Sequence, residues 1–386
     1  MGFRIDKLGV VIAALLAYGG FLAPFANFRA NRIVPGEARW IVEALPAGYG
    51  AALLAFSAVA IVLIVLKTPT LFRLLLGLIA LLALAILIGL SAGHLTPPEN
   101  TYARVSPASG FWLSSFAFAL LTADALARLR LSPLARIGLL LAVAATVAGL
   151  LVSGIWDGLS ILKEYGSRAE TFWLEAGRHV VLALGSLASA CLVGLPLGIL
   201  CHRVPSLRAG VLNGLNIIQT IPSIALFGLL MAPLGWIALN VPGASALGIR
   251  GIGAAPAFVA LFLYSLLPVV ANTVVGLAGV PRDANDAARG IGMTGRQRLF
   301  GVELPLAFPV ILTGIRIVLV QNIGLATIAA LIGGGGFGVF VFQGIGQTAM
   351  DLVLLGAVPT VALAFATAVV LDAATELSNS KRGRAA

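Results

Sequence analysis

Residues 261–320 read LFLYSLLPVVANTVVGLAGVPRDANDAARGIGMTGRQRLFGVELPLAFPVILTGIRIVLV. Two apolar runs flank a segment carrying Asp286, Arg289, Arg296, Arg298 and Glu303, in a 386-residue chain that is 60% hydrophobic and 10% charged. So few charges cannot clothe a water-facing surface, and a mean hydropathy of +1.04 says that lipid covers much of the chain. Crossing roughly 30 Å of hydrocarbon takes about 20 helical residues. Moved outward from this stretch, that window finds ten candidate spans, near 9–28, 49–66, 71–92, 111–128, 134–153, 179–201, 211–235, 255–280, 307–330 and 352–376. Each is expected to be a helix, because backbone groups in lipid must bond within their own segment. The expected fold is all-α: a polytopic membrane protein of about ten transmembrane helices.

Arg4 and Lys7 precede the first run as they would in a signal peptide, but a run of about 20 residues exceeds the usual apolar core of one. FANFRANR, 25–32, offers no small-x-small cleavage site, so the run is read as a helix. Cys191 and Cys201 share the sixth span ten residues apart, a separation of about 15 Å on a helix. That is beyond the roughly 7 Å a disulfide tolerates, and both are read as packing residues. The net charge of +10 comes from cations scattered over short loops rather than one basic face, which argues orientation and no nucleic acid. With the N-terminus inside, 16 Lys and Arg fall in cytoplasmic segments and 8 on the other side, with Arg316 inside a span, so both termini are expected in the cytoplasm. Arg29, Arg32 and Arg39 then lie outside, against the trend.

The expected organisation is a membrane region of about five helices (1–153), an extracytoplasmic linker (154–178), a second membrane region (179–376) and a basic cytoplasmic tail (377–386). GIWDGLSILKEYGSRAETFWLEAGR, the linker, reads equally as a helix lying on the membrane surface or a solvated connection. In the first region Asp124 stands one turn from Arg128, where the two can satisfy each other. The second region holds more polar residues at membrane depth. NIIQTIPSIALFG, 216–228, includes Gln219, Thr220 and Ser223, with Pro222 expected to bend the helix. Asn272 and Gln321 follow on later spans. Any one of these serves equally as a helix-to-helix hydrogen bond; together, Gln219, Thr220, Ser223, Asn272 and Gln321 are the candidate lining of a translocation pathway. Arg316 is expected to snorkel or to pair with a neighbouring helix.

The charged insert carries legible caps. Asp283, after Pro281, is expected to cap a helix starting near Ala284, with Asp286 in its first turn. Gly292 stops that helix with positive φ. Thr294 and Gln297 form a capping box for a second short helix that ends before Pro305. GIGMTG (290–295) and GGGGFG (333–338) match G-x-G-x-x-G, but neither follows an amphipathic strand in a βαβ unit. None of the four lysines follows a glycine, so no Walker A loop exists and ATP, if used, binds another chain.

Asp286, Ala287, Ala288, Gly292, Val302, Leu304 and Pro305 occupy every position of E-A-A-x3-G-x9-I-x-L-P, with Asp for Glu and Val for Ile. The insert therefore resembles the cytoplasmic loop of permease subunits of binding-protein-dependent ABC importers. Segments such as LGSLASACLVGLPLGIL (184–200), NIIQTIPSIALFGLL and VELPLAFPVILTGIR resemble permeases for quaternary-amine osmoprotectants such as glycine betaine and choline, over roughly 179–376. The resemblance implies a non-enzymatic transport subunit in the bacterial inner membrane, with the seven residues docking on a separate ATP-binding chain. It also implies two ATPase subunits that hold ATP and Mg, a second permease copy or homologous permease, and an extracytoplasmic substrate-binding protein. This chain itself would bind no cofactor. A permease for an amino acid such as methionine shares the core and is the alternative. An ion-coupled secondary transporter, the less favoured alternative, usually needs intramembrane carboxylates, and Asp124, in the first region, is the only acid deep enough to consider.

Overall fold

The computed structural model describes residues 6–32, 34–97, 99–100 and 102–383. Arg4 and Arg384, two of the cations used for orientation, lie outside the described residues. The chain forms two compact units, Met1–Ser167 and Arg168–Ala386.

Five apolar helices build the first unit: α1 (Lys7–Ala17, continued by a π turn to Leu22), α3 (Tyr49–Val65), α4 (Thr70–Leu95), α5 (Ser109–Leu129) and α6 (Pro133–Val152). Their starts and stops are local chemistry. Asp6 caps α1 by accepting from the amides of Leu8 and Gly9, and Ser132 caps α6 ahead of Pro133. Arg130, at φ 44°, ends α5 in a left-handed turn. Ile12, Leu16, Ile64, Leu84, Phe118 and Leu121 form the buried core of α1, α3, α4 and α5. The apolar side chains of α6 remain largely uncovered.

At one end of this bundle three short strands, β1 (Ala26–Arg29), β2 (Glu37–Arg39) and β3 (Arg104–Pro107), form an antiparallel sheet in the order β2-β1-β3. Asn27 faces Ala38 on one side and Ser106 on the other, and a parallel bridge joins Val105 to Leu159. Residues 26–28, expected as the end of the first span, belong to this sheet instead, since Pro24 removes a donor and stops the helix at Leu22. Strands of three and four residues are too short for period-two patterning, and their pairing spans some eighty residues of sequence. The short helix α2 (Ile41–Ala44) follows β2, and α7 (Ser160–Ser167) closes the unit. On α7 buried Glu164 lies 3.5 Å from Arg32 and 3.9 Å from Arg104.

The opposite end of the bundle carries a charge network centred on the buried Arg73 and Asp6. Arg73 Nη1 lies 2.5 Å from Asp6 and 3.7 Å from Asp124, while Arg128 reaches Asp124 at 2.9 Å and Asp6 at 3.5 Å. The expected Asp124–Arg128 pair is present, joined to the cap of α1 and the first turn of α4. Burial pushes the Asp6 carboxyl up, but the hydrogen bonds from Arg73 and the Gly9 amide, with the charges of Arg73 and Arg128, outweigh it and hold the group below its ordinary value.

In the second unit a continuous helix runs from Ala169 to Arg203, made of α8 (Ala169–Val180), a π turn (Val181–Gly185) and α9 (Ser186–Arg203). Residues 169–178, expected within the linker, are thus its first turns, because no Pro separates the amphipathic start from the apolar run and Gly177 stays within the helix. The seventh span divides into α10 (Pro205–Thr220) and α11 (Ser223–Asn240): Pro222 breaks the helix outright rather than bending it. Then come α12 (Ala254–Ala278), α13 (Arg282–Gly290), α14 (Gly295–Arg298), α15 (Leu304–Ile328), α16 (Gly338–Gly346) and α17 (Met350–Gly383). Among the described residues eight helices are long and apolar enough to cross a membrane, with Lys7–Leu22 and Tyr49–Val65 as shorter apolar helices. The helix α12 is the hub, packed against α9, α10, α11 and α15. At Gly198 a Cβ would come within 2.6 Å of Thr273, so α9 and α12 approach as closely as they do only because residue 198 has none.

Replacing Arg73 by Ala leaves the buried Asp6 carboxylate with only the half-exposed Arg128, 3.5 Å away, and removal of one partner of a buried pair costs about 3–5 kcal/mol. The expected outcome is a lower unfolding temperature for the purified chain in detergent at neutral pH. Because the Asp6 carboxyl sits below its ordinary value in the fold, its stabilisation is complete above the usual carboxylate range and disappears only as the pH falls through the lowered value. Asp6→Asn should therefore weaken the neutral-pH protein and flatten the acid limb of the stability curve. An unchanged curve would remove this role for the network.

Candidate functional site

The insert between α12 and α15 is built by two short helices and a tight turn. α13 starts at Arg282, with Pro281 as cap, so the Asp283 side chain lies inside the first turn instead of capping a start at Ala284. Pro281 favours this because its fixed φ, near −55° here, already suits the approach to a helix. The end of α13 is as expected. Gly292 has φ 80°, its N–H donates to the Arg289 carbonyl at 2.9 Å, and the Met293 N–H donates to the Ala288 carbonyl at 3.1 Å. This pair of bonds is a Schellman motif, and it explains the A-x3-G spacing: Ala288 supplies the third-last helical carbonyl and Gly292 the left-handed residue. Ala288 is buried under the turn, while Ala287 and Gly292 are exposed.

Thr294 and Gln297 form the expected capping box, Thr294 Oγ1 accepting from the Gln297 amide at 3.3 Å and Gln297 Oε1 accepting from the Thr294 amide at 2.8 Å. The second short helix does not end before Pro305. A π turn, Leu299–Glu303, carries it into α15, and one helix runs from Gly295 to Ile332. Pro305 falls in the first turn of α15, directly after the π turn, where the ring is accommodated. The half-buried Leu304 packs with Leu277, Val280, Ala307 and Ile311, fastening both ends of the insert to each other. Val302 is half-buried and Pro305 exposed.

Outward, the insert presents Asp286, with a 68% exposed side chain 3.6 Å from Arg289, and two large apolar residues, Ile291 at 80% and Phe300 at 61% exposure. Sequence reading did not single out Ile291 or Phe300, since nothing local separates an exposed apolar side chain from a buried one. Glu303 is buried and lies within hydrogen-bond reach of both Arg203, the last residue of α9, and Arg298, at 2.9 Å. Arg203 is a hundred residues away in sequence, which hid the pairing.

The candidate pathway residues do not form one cluster. Gln219, Thr220 and Ser223 surround the break between α10 and α11. There Gln219 Nε2 donates to the Tyr264 carbonyl at 2.7 Å and the Tyr264 hydroxyl donates to the Ile221 carbonyl, so α12 satisfies groups that the break exposes. Thr220 bonds back to Ile217. Asn272 donates to the Pro268 carbonyl at 2.8 Å and packs against Gly314 of α15. Gln321 is half-buried, whereas its neighbour Asn322 is fully buried and donates to the hydroxyls of Ser186 and Ser265, each at 2.9 Å, joining α15 to α9 and α12. Arg316 pairs with Asp372 of α17.

About 40 Å along the Ala169–Arg203 helix from Arg203, Glu175 accepts from the Gly336 amide at 2.6 Å and His179 Nδ1 from the Phe337 amide at 3.4 Å. GGGGFG is thus a loop with Gly333, Gly335 and Gly336 at positive φ, held by α8. Beside it opens a cavity of about 1000 Å³ whose lining includes Trp173, Arg178, Arg250, Phe258, Gly333 and Gly334.

Residues 194–383 match the family described as binding-protein-dependent transport system inner membrane component, and residues 6–162 match the N-terminal domain of the ABC transporter permease YehY. The chain is a multi-pass permease subunit, of the class whose transport is driven through partner chains. It belongs to the binding-protein-dependent transport system inner membrane component family. It is 36% identical to the glycine betaine/carnitine/choline transport system permease protein OpuCB of Bacillus subtilis over 54% of this chain and 88% of that one. With the osmoprotectant import permease protein OsmW of Salmonella typhimurium it shares 43% identity over 50% of this chain and 84% of the relative. Among solved structures, an inward-facing form of the MetNI methionine ABC transporter aligns with 55% of this chain and 98% of that chain, at 22% identity and a TM-score of 0.47.

Asn322→Leu removes two interhelical donations from a site closed to water, which should cost about 1–3 kcal/mol. Gln321→Leu, one position away and half-buried, should change stability little. Thermal unfolding of both variants separates these outcomes, and equal effects would contradict the placement of Asn322 as the interhelical tie.

Proposed function

We propose that this chain is the membrane-spanning permease of an ATP-driven importer of osmoprotectants such as glycine betaine or choline, and that residues 282–303 are the handle on which a separate ATP-binding chain closes. The observation that carries the reading is the insert itself. The insert, whose first helix ends in a Schellman motif, exposes Asp286, Ile291 and Phe300, while Leu304 and Glu303 anchor it to membrane helices. A solvated loop has no need of such anchoring; a surface that must transmit force does. In this reading Asp286, Ala287, Ala288, Gly292, Val302, Leu304 and Pro305 form the coupling element, and ATP and Mg are held by the partner chains, with no cofactor in this one. Gln219, Thr220, Ser223, Asn272 and Gln321 face the translocation pathway rather than lipid.

The substrate class is supported by the names of the relatives, which transport glycine betaine, carnitine and choline, and this weighs against methionine. Two permease chains, this one with a copy or a homologue, would receive the solute from an extracytoplasmic binding protein. Both termini lie in the cytoplasm. That orientation is supported by the excess of cations in the segments it puts inside. Either orientation sets 23–48, 96–108 and 154–159 on one side, as strand pairing among them requires, so the cation count alone supports the choice.

Two experiments test this. Cysteines introduced at Ser206 and Gln297 should react with an impermeant maleimide only from the cytoplasmic face, and one at Gln347 only from outside; the reverse labelling would overturn the orientation. In the assembled importer, Gly292→Leu places a bulky residue at φ 80°, a conformation that costs a side chain about 1–2 kcal/mol or more. Asp286→Lys reverses an exposed charge. Uptake of labelled glycine betaine or choline should fall sharply in both, and hydrolysis should lose its response to the loaded binding protein, at unchanged membrane expression. Normal uptake and stimulation in both variants would exclude the docking role.

A further inference from the structure

The buried Glu303 carboxylate is held by two cations from different places, Arg298 in the insert and Arg203 at the end of α9. The helices α12 and α15 follow the insert through the chain itself, and Leu277, Val280, Ala307 and Ile311 pack them together beside it. α9 has no covalent link to the insert. It reaches that apolar cluster through Leu195 and Ile199, and its terminal residue reaches the insert through Glu303. The same continuous helix, at its other end, holds the amides of Gly336 and Phe337 through Glu175 and His179, beside the cavity that Arg178, Gly333 and Gly334 help to line.

We infer that Glu303 is a positioning residue that ties the docking insert to the Ala169–Arg203 helix, so that movement of the insert reaches the glycine loop and cavity at that helix's far end. The inference rests on the docking role proposed above for 282–303. A carboxylate sealed from water needs one good partner to be tolerated. Here it has two, and they belong to the two bodies that would have to move together. The π turn that carries Glu303, buried and paired with the end of α9, also carries Phe300, which is exposed.

The test uses the whole importer, with ATPase subunits and binding protein, reconstituted in liposomes. Glu303→Gln and Arg203→Gln should each lower substrate uptake, and its coupling to hydrolysis, by about tenfold, within the usual range for coupling between sites. ATPase subunits should still co-purify with both variants. Glu303→Asp, which keeps the charge, should retain much of the uptake. The double variant Arg203→Gln/Glu303→Gln leaves only Arg298 without its carboxylate, whereas Glu303→Gln leaves both arginines so, and its expression and unfolding temperature should exceed those of Glu303→Gln. Its uptake should stay low, because the tie is still absent. Recovery of uptake together with stability would show a merely structural pair and overturn the inference. So would wild-type uptake in the single variants, or loss of the ATPase subunits, which would make Glu303 a shaper of the docking surface. If Gly292→Leu and Asp286→Lys are impaired while the Glu303 variants are normal, only this inference falls; if those two are normal, the docking role falls and this inference with it.

Discussion

Hydrocarbon offers a peptide group no hydrogen-bond partner, and at two departures from regular helix in the second unit side chains supply one. Where Pro222 interrupts α10 and α11, the Tyr264 hydroxyl takes the Ile221 carbonyl and Gln219 takes the Tyr264 carbonyl, so two helices mend one break. At the glycine loop, Glu175 and His179 accept from Gly336 and Phe337. The same economy governs side chains. Arg316 finds Asp372, and Asn322 finds two serines whose own hydroxyl protons go to the Leu182 and Leu261 carbonyls.

This constraint changes how polar residues in a membrane helix are read. Gln321 and Asn322 are adjacent and chemically alike, yet they stand about 100° apart around the helix axis, so one is sealed among three helices and the other is half-open. Asn322 is committed to packing, which frees Gln321 and not Asn322 for contact with a solute. Gln219 is committed as well, through its bond to Tyr264. Candidate pathway residues are therefore unequal: Thr220, Ser223 and Gln321 have weaker structural duties than Gln219.

The motif from Asp286 to Pro305 acquires a physical meaning residue by residue. Ala288 and Gly292 are the two ends of a helix stop, and a larger residue at 288 would have to displace the turn that buries it. Leu304 is the apolar bolt between α12 and α15. What remains outward, Asp286 with Ile291 and Phe300, combines a charge with apolar area, as a protein-binding patch does. An insert with such a face suits an interface better than it suits water.

Much of this was readable from residues in order along the chain. The ten apolar runs, the Gly292 turn, the Thr294–Gln297 box and the Asp124–Arg128 pair all depend on neighbours within a few positions, so local chemistry specified them. Tertiary structure alone decided what depends on distant partners: the sheet joining 26–39 to 104–107, the meeting of Asp6 with Arg73, Arg203 with Glu303, and which of Gln321 and Asn322 is buried. Boundaries fell between these extremes. Pro222 was visible as a disturbance, but whether it bent or broke its helix turned on Tyr264, forty-two positions later, being there to satisfy the Ile221 carbonyl. A hydrogen bond or ion pair closed over such a separation leaves no periodic trace in sequence, because its partners are brought together only after the helices have packed.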